Sequence, residues 1–169
     1  MKKIGIFFGS TTGTTAKVAR SIARVLGVND NDVHDVANAA PSEVGGYDIL
    51  VLGTSTWGSG ELQDNWYDFA AGLSVMNLKG KQIAIYGCGD ETMSDTFCSA
   101  VGELRKRLND TGADFIAPYN VVGYHFNHSD ALAEDAVEAE GLLLDEVNHP
   151  ELTEGRIAGW CTVIQKAAD

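Results

Sequence analysis

Short β-rich apolar runs alternate along this chain with longer segments of helical periodicity, and that alternation is its strongest constraint. Ile4–Phe8, Val33–Val36, Tyr47–Gly53 and Gln82–Gly87 read as strands. Between them, Val18, Ile22, Val25 and Leu26 share one helical face that closes at Gly27. Asp64–Leu73 reads as a short helix holding Trp66 and Phe69. Phe97, Val101, Leu104 and Leu108 recur at helical spacing, and Ile157, Trp160, Cys161 and Ile164 lie on a last helix. A fifth strand is expected from Ala113–Ile116 and Asn120–Val122, interrupted near Pro118. Strands separated by helices call for right-handed crossovers, hence a parallel sheet covered on both faces. The 169 residues suit one domain. Residues 124–150 are polar, acidic and weakly periodic, and are too long for an ordinary connection; they read as an insertion.

Composition narrows the function. Twenty-four Asp and Glu against 12 Lys and Arg leave a net charge of −12, which repels phosphate backbones and anionic lipid. Nucleic acid and membranes are therefore poor partners, and basic proteins better ones. The chain has no apolar run of ~18 residues. Cys88, Cys98 and Cys161 form no CxxC pair and no disulfide framework, so reduced thiols in the cytoplasm are expected.

In open α/β sheets, ligands bind beyond the carboxyl ends of the strands. Three loops there are rich in Gly, Ser and Thr: Gly9–Thr15, Thr54–Gly60 and Gly87–Met93. The first, Ser10-Thr11-Thr12-Gly13-Thr14-Thr15, runs into a helix N-terminus. Its N–H groups and hydroxyls suit a phosphate or simply cap the helix. It is neither GxxxxGK[ST] nor GxGxxG. In the second, Trp57 between Thr56 and Gly58 offers a stacking platform or a lid on the core. Trp66 and Trp160, on amphipathic helices, are packing residues. His125 and His128 lack convergent ligand spacing, so no metal site is expected. Cys88 and Cys98 are read as small buried thiols rather than a redox pair.

Gly9-Ser10-Thr11-Thr12-Gly13-Thr14-Thr15, Thr56-Trp57-Gly58-Ser59-Gly60-Glu61-Leu62-Gln63 and Gly87-Cys88-Gly89-Asp90 together resemble the three FMN-binding loops of flavodoxins. The similarity runs from about Lys3 to Ala167. The insertion and His149-Pro150-Glu151-Leu152-Thr153 resemble the long-chain branch. The resemblance implies a flavodoxin-like three-layer α/β fold, with a five-stranded parallel sheet of order 2-1-3-4-5. It also implies a single FMN-binding domain over 1–169.

By that resemblance, Ser10 to Thr15 would hold the FMN phosphate and Trp57 would stack on the isoalloxazine. The Gly58–Ser59 peptide would turn toward flavin N5, with Thr56 and Gly60 beside it. Gly87, Cys88, Gly89 and Asp90 would meet the pyrimidine edge, and Phe97 would also contact the cofactor. Flavodoxins commonly place a Tyr on the outer flavin face. Here the run Asp90–Phe97 is one residue shorter, and Met93 is the nearest match. Like charges from Glu61, Asp64, Asp90, Glu91 and Asp95 would disfavour the second electron. The implied protein is a monomeric, low-potential one-electron carrier with non-covalently bound FMN. It would dock a flavodoxin/ferredoxin reductase and low-potential redox enzymes through an acidic face; Asp130, Glu134, Asp135, Glu138 and Glu140 read most simply as a solvated acidic face and, more sharply, as part of that docking surface. An FMN-dependent NAD(P)H quinone reductase is the enzyme alternative. A signalling receiver domain lacks its acidic pair and phospho-acceptor, since Gly9-Ser10-Thr11 and Thr54-Ser55 stand in those places.

Overall fold

A computed structural model describes residues 1–169. The strands are β1 (Ile4–Gly9), β2 (Val33–Asp35), β3 (Ile49–Trp57), β4 (Glu61–Leu62), β5 (Gln82–Cys88), β6 (Asp114–Phe115), β7 (Tyr119–Asn120), β8 (Glu138–Ala139) and β9 (Leu142–Leu144). The helices are α1 (Thr14–Leu26), α2 (Trp66–Ser74), α3 (Ser99–Arg107) and α4 (Pro150–Ala168).

The main sheet runs β2-β1-β3-β5-β6, with each of these neighbours parallel. Counting only its parallel positions, this is the expected 2-1-3-4-5 order. Side chains alternate across it. Ile6, Ile49, Val51, Ala84 and Tyr86 join Val18, Ile22, Ile157 and Trp160 of α1 and α4 in one core. Phe7, Leu50, Leu52, Ile83 and Ile85 join Phe69, Leu73, Val101 and Leu104 of α2 and α3 in the other. Both faces are thus covered, which explains why the strands read as continuous apolar runs rather than alternating ones. Trp66 and Trp160 are sealed in these cores, and each N–H is satisfied: Trp66 Nε1 donates to the Gly53 carbonyl at 2.7 Å, Trp160 Nε1 to that of Ala117 at 2.8 Å.

Two expectations are corrected. The segment Thr54–Gly60 is only partly a loop: β3 runs on to Trp57 and folds back as an antiparallel hairpin, pairing Thr56 with Leu62 and Trp57 with Glu61. The second half of the fifth strand is not Asn120–Val122. It is β9, which pairs in parallel with Tyr86–Cys88 after β6 has paired with Gln82–Ile83. Tyr119–Asn120 instead forms a separate ribbon with β8. Burial decides the contest, because Leu142, Leu143 and Leu144 are wholly covered while Val122 is 82% exposed. Gly141 lets β9 approach: a Cβ there would stand 2.1 Å from the Ile85 carbonyl oxygen. The chain therefore leaves the fifth-strand position between Phe115 and Leu142, rather than over 124–150.

Candidate functional site

β1, β3 and β5 lie side by side, so their carboxyl ends bring the three Gly/Ser/Thr-rich segments to one edge of the sheet. At the first, Gly13 begins α1 without a side-chain cap, and no acidic residue lies in the first turn. The helix's leading N–H groups therefore face outward with the positive end of its dipole. Gly13 N–H reaches back to Ser10 Oγ at 3.1 Å, which fixes the turn. Thr11 and Thr12 are exposed and Thr14 is half-buried. Thr15 is buried, yet its Oγ1 has no hydrogen-bond partner within the chain.

The hairpin carries the second segment. Trp57 remains 41% exposed, and its Nε1 donates to Ser55 Oγ at 2.8 Å, which holds the indole at a set angle. Thr56 Oγ1 accepts the Ala100 N–H at 3.2 Å, seating the hairpin on α3. Gly58 takes φ +51°, a left-handed conformation that a side chain resists.

The third segment follows β5. Asp90 Oδ1 accepts from Thr92 N–H at 2.8 Å and from Thr92 Oγ1 at 2.6 Å. Those hydrogen bonds, with one from Asn148, hold its carboxyl below the usual carboxylate range. Met93 is 57% exposed. Together with Thr56, Trp57, Gly58, Gly89, Asp90, Thr96, Phe97 and Cys98, it lines a cleft of about 220 Å³. A second recess of about 190 Å³ lies between Trp57, Thr11 and Asp64. The indole thus borders two hollows, one toward the third segment and one toward the first.

Not every expected residue reaches this cleft. Ser59 and Gly60 sit at the hairpin tip, outside the lining. Gly87 is covered by Val101 of α3, and the Cys88 side chain enters the α1/α4 core. Phe97 is buried and closes the floor with Tyr124 and Phe126, at ring-centroid distances of 6.0 and 5.1 Å. Glu91, grouped above with the surface charges, is buried.

The family scan matches the flavodoxin model over residues 6–160. The chain belongs to the flavodoxin family. It is 42% identical to flavodoxin 1 of Shigella flexneri over 163 residues, covering 96% of this chain and 92% of that one. It is 37% identical to a flavodoxin of Synechococcus elongatus over 167 residues, covering 98% and 97%. Among solved structures, it is similar to a Fusobacterium nucleatum flavodoxin bound to flavin mononucleotide: 28% identity, a TM-score of 0.91, and 100% of both chains covered.

Flavodoxin membership leaves the supporting residues to be found in the structure. Gln63 is buried and spans two segments: its N–H donates to Thr54 Oγ1 at 3.3 Å and its Nε2 to Thr11 Oγ1 at 3.2 Å. Asp145 and Asn148, beyond β9, contact the third segment. The motif reading passed through Gln63, but nothing in the sequence marks Asp145 or Asn148, whose partners lie more than fifty residues away. Glu91, Asp145 and His149 bring one ligand-type atom each within 4.8 Å of one another. Both Asp145 oxygens are already taken by N–H donors, so the group offers a cation little. His128 pairs locally with Asp130 at 2.8 Å.

Charge is sorted along the chain. None of the three segments contains Lys or Arg, and none occurs from Leu108 to Gly155, a stretch holding 11 of the 24 acidic residues. No helix is long and apolar enough to cross a membrane.

Proposed function

We propose that this flavodoxin binds one FMN, non-covalently, at the carboxyl edge of its sheet and carries single electrons at low potential. The observation that carries the reading is the cleft in which Trp57, Gly58, Asp90 and Met93 meet beside the uncapped start of α1. These residues fit the cofactor. The unpartnered Thr15 hydroxyl and the free N–H groups of α1 suit a phosphate, and Ser10, Thr11, Thr12 and Thr14 add further hydroxyls. A flat exposed indole suits a planar ring. FMN, when bound, supplies one- and two-electron chemistry at that ring.

Trp57, oriented through Ser55, would cover one face of a ring held in the cleft, and Met93 would offer a thioether to the other. The Gly58–Ser59 peptide is free to present its carbonyl to flavin N5. Backbone of the third segment, from Gly89 to Asp90, meets the pyrimidine edge. With no cation in any of the three segments and Glu61, Asp64, Asp90 and Asp95 in them or just beyond, each added negative charge is opposed. The second electron therefore enters at lower potential than the first.

The excess of acidic residues in the stretch 108–155, which contains no Lys or Arg, supports an acidic face on which a basic reductase, and then low-potential acceptor enzymes, would dock. Division of the fifth strand between β6 and β9 supports assignment to the long-chain branch. Three buried unpaired thiols suit a reducing cytoplasm, and the carrier acts as a monomer. Membership of the flavodoxin family favours a carrier over a quinone reductase.

Titration of the flavin-free protein with FMN tests the reading. Binding at one equivalent should quench tryptophan fluorescence, and Trp57→Leu should remove most of that quenching. A protein that takes up no FMN would contradict it.

A further inference from the structure

The third segment makes few stabilising contacts of its own. Beyond the Thr92 bonds to Asp90, it has two turn hydrogen bonds, from Met93 N–H to the Asp90 carbonyl and from Thr96 N–H to that of Met93. Two stretches fix it in place. Residues 125–128 hold its far side, where His125 N–H donates to Glu91 Oε2 at 3.2 Å and the Asn127 and His128 N–H groups donate to the Ser94 carbonyl at 2.8 and 2.9 Å. The chain just after β9 holds the side from Gly89 to Glu91. Gly89 N–H donates to the Leu144 carbonyl at 2.9 Å, and Glu91 N–H donates to Asp145 Oδ2 at 3.0 Å. Asn148 Nδ2 donates to Asp145 Oδ2 at 2.8 Å and to Asp90 Oδ1 at 2.7 Å.

Asp145 is wholly buried, and its charge is compensated. Oδ1 accepts the N–H groups of Val147 and Asn148, while Oδ2 accepts those of Glu91 and the Asn148 amide. Four donors match the capacity of a carboxylate. The Asn148 amide has two N–H bonds and spends one on each of two carboxylates. A single neutral donor thereby bridges Asp145 and Asp90, which would otherwise repel. Asn148 itself is exposed and outside the cleft, so it contributes little to either core.

We propose that Asn148, braced by Asp145, is a positioning residue for flavin-ring binding: it holds Asp90, and with it the segment carrying Met93, at the ring end of the site. The proposal rests on the FMN reading above. It separates the site into a phosphate end, set by α1, and a ring end, set from beyond β9.

The test compares FMN with riboflavin, which lacks the phosphate, on flavin-free native protein, Asn148→Ala and Ser10→Ala. Asn148→Ala removes two hydrogen bonds to charged groups, and loss of the one that holds Asp90 predicts that both flavins weaken by a similar factor of about 10. Ser10→Ala should weaken FMN and leave riboflavin unchanged. Because buried Asp145 Oδ2 keeps the Glu91 N–H but loses the Asn148 donor, flavin-free Asn148→Ala should unfold at a modestly lower temperature while staying folded at the temperature of the titrations. Asn148→Asp, which places a third carboxylate between the other two, should weaken both flavins further. Unchanged affinity in Asn148→Ala would overturn the proposal, as would a loss confined to FMN or a loss seen only where the flavin-free variant is already unfolding. Native protein that binds neither flavin would overturn the FMN reading instead.

Discussion

Gln63 Nε2 donates to Thr11 Oγ1 at 3.2 Å, joining the Trp57 hairpin to the head of α1 across 52 residues of sequence. The same side chain accepts the Asn65 N–H at 3.0 Å through Oε1. Gln63→Ala removes side-chain hydrogen bonds to Thr11 and Asn65, whose freed groups reach solvent, so it should cost about 1 kcal/mol of stability. It should also loosen FMN binding, because the two segments that grip the cofactor lose their tie. Urea unfolding and FMN titration measure the two effects.

Gly58 sits at φ +51°, and a Cβ there would stand 2.7 Å from Glu61 Oε2. Gly58→Ala should cost about 1–2 kcal/mol for the left-handed backbone alone. Its larger signature is expected in the redox profile. A peptide that turns less freely toward N5 stabilises the one-electron level less, so the two reduction potentials should move closer together. Potentiometric titration reads that gap directly.

Met93 lines the same cleft as Trp57, yet a thioether covers an aromatic face less fully than a phenol. Met93→Tyr should therefore tighten FMN binding, and equal or weaker binding would show that this position leaves the outer face uncovered.

The cysteines give a pH prediction. Burial pushes the Cys88 and Cys161 thiols up to about 12 and raises Cys98 as well. All three should resist an aromatic disulfide reagent at pH 8 until denaturant unfolds the chain. Their ordinary value is 9.0, so folded and unfolded chains are equally protonated below it. As pH rises from about 9 toward 12, the unfolded chain gives up these protons first and stability falls. Rapid reaction of one native thiol, or a Cys88–Cys98 disulfide, would restore the redox-pair reading.

The parallel order, the two helical layers and the packing roles of Trp66 and Trp160 were legible because each rests on local periodicity and burial. Leu142–Leu144 was not. Three residues are too short to show a period, and they stand inside an acidic stretch, while Asn120-Val121-Val122 has the stronger β composition. Trp57 reads as a loop residue from the glycine beside it, and the strand that reaches it and folds back as a hairpin needed the pairing of Thr56 with Leu62 to be seen. Glu91 reads as surface charge by type, and its burial is explained by partners distant in sequence: its Oε2 accepts the His125 N–H at 3.2 Å, and its own N–H donates to Asp145. Asp145 and Asn148 act through long-range hydrogen bonds, which leave no trace in spacing.

An anaerobic reductive titration followed by visible absorbance tests the central claim most directly. The FMN-loaded protein should take up two electrons in two resolved steps, with long-wavelength absorbance rising to half reduction and then falling at much lower potential. Bleaching in a single two-electron step, with no long-wavelength absorbance at the midpoint, would contradict the one-electron carrier and the role given to Gly58.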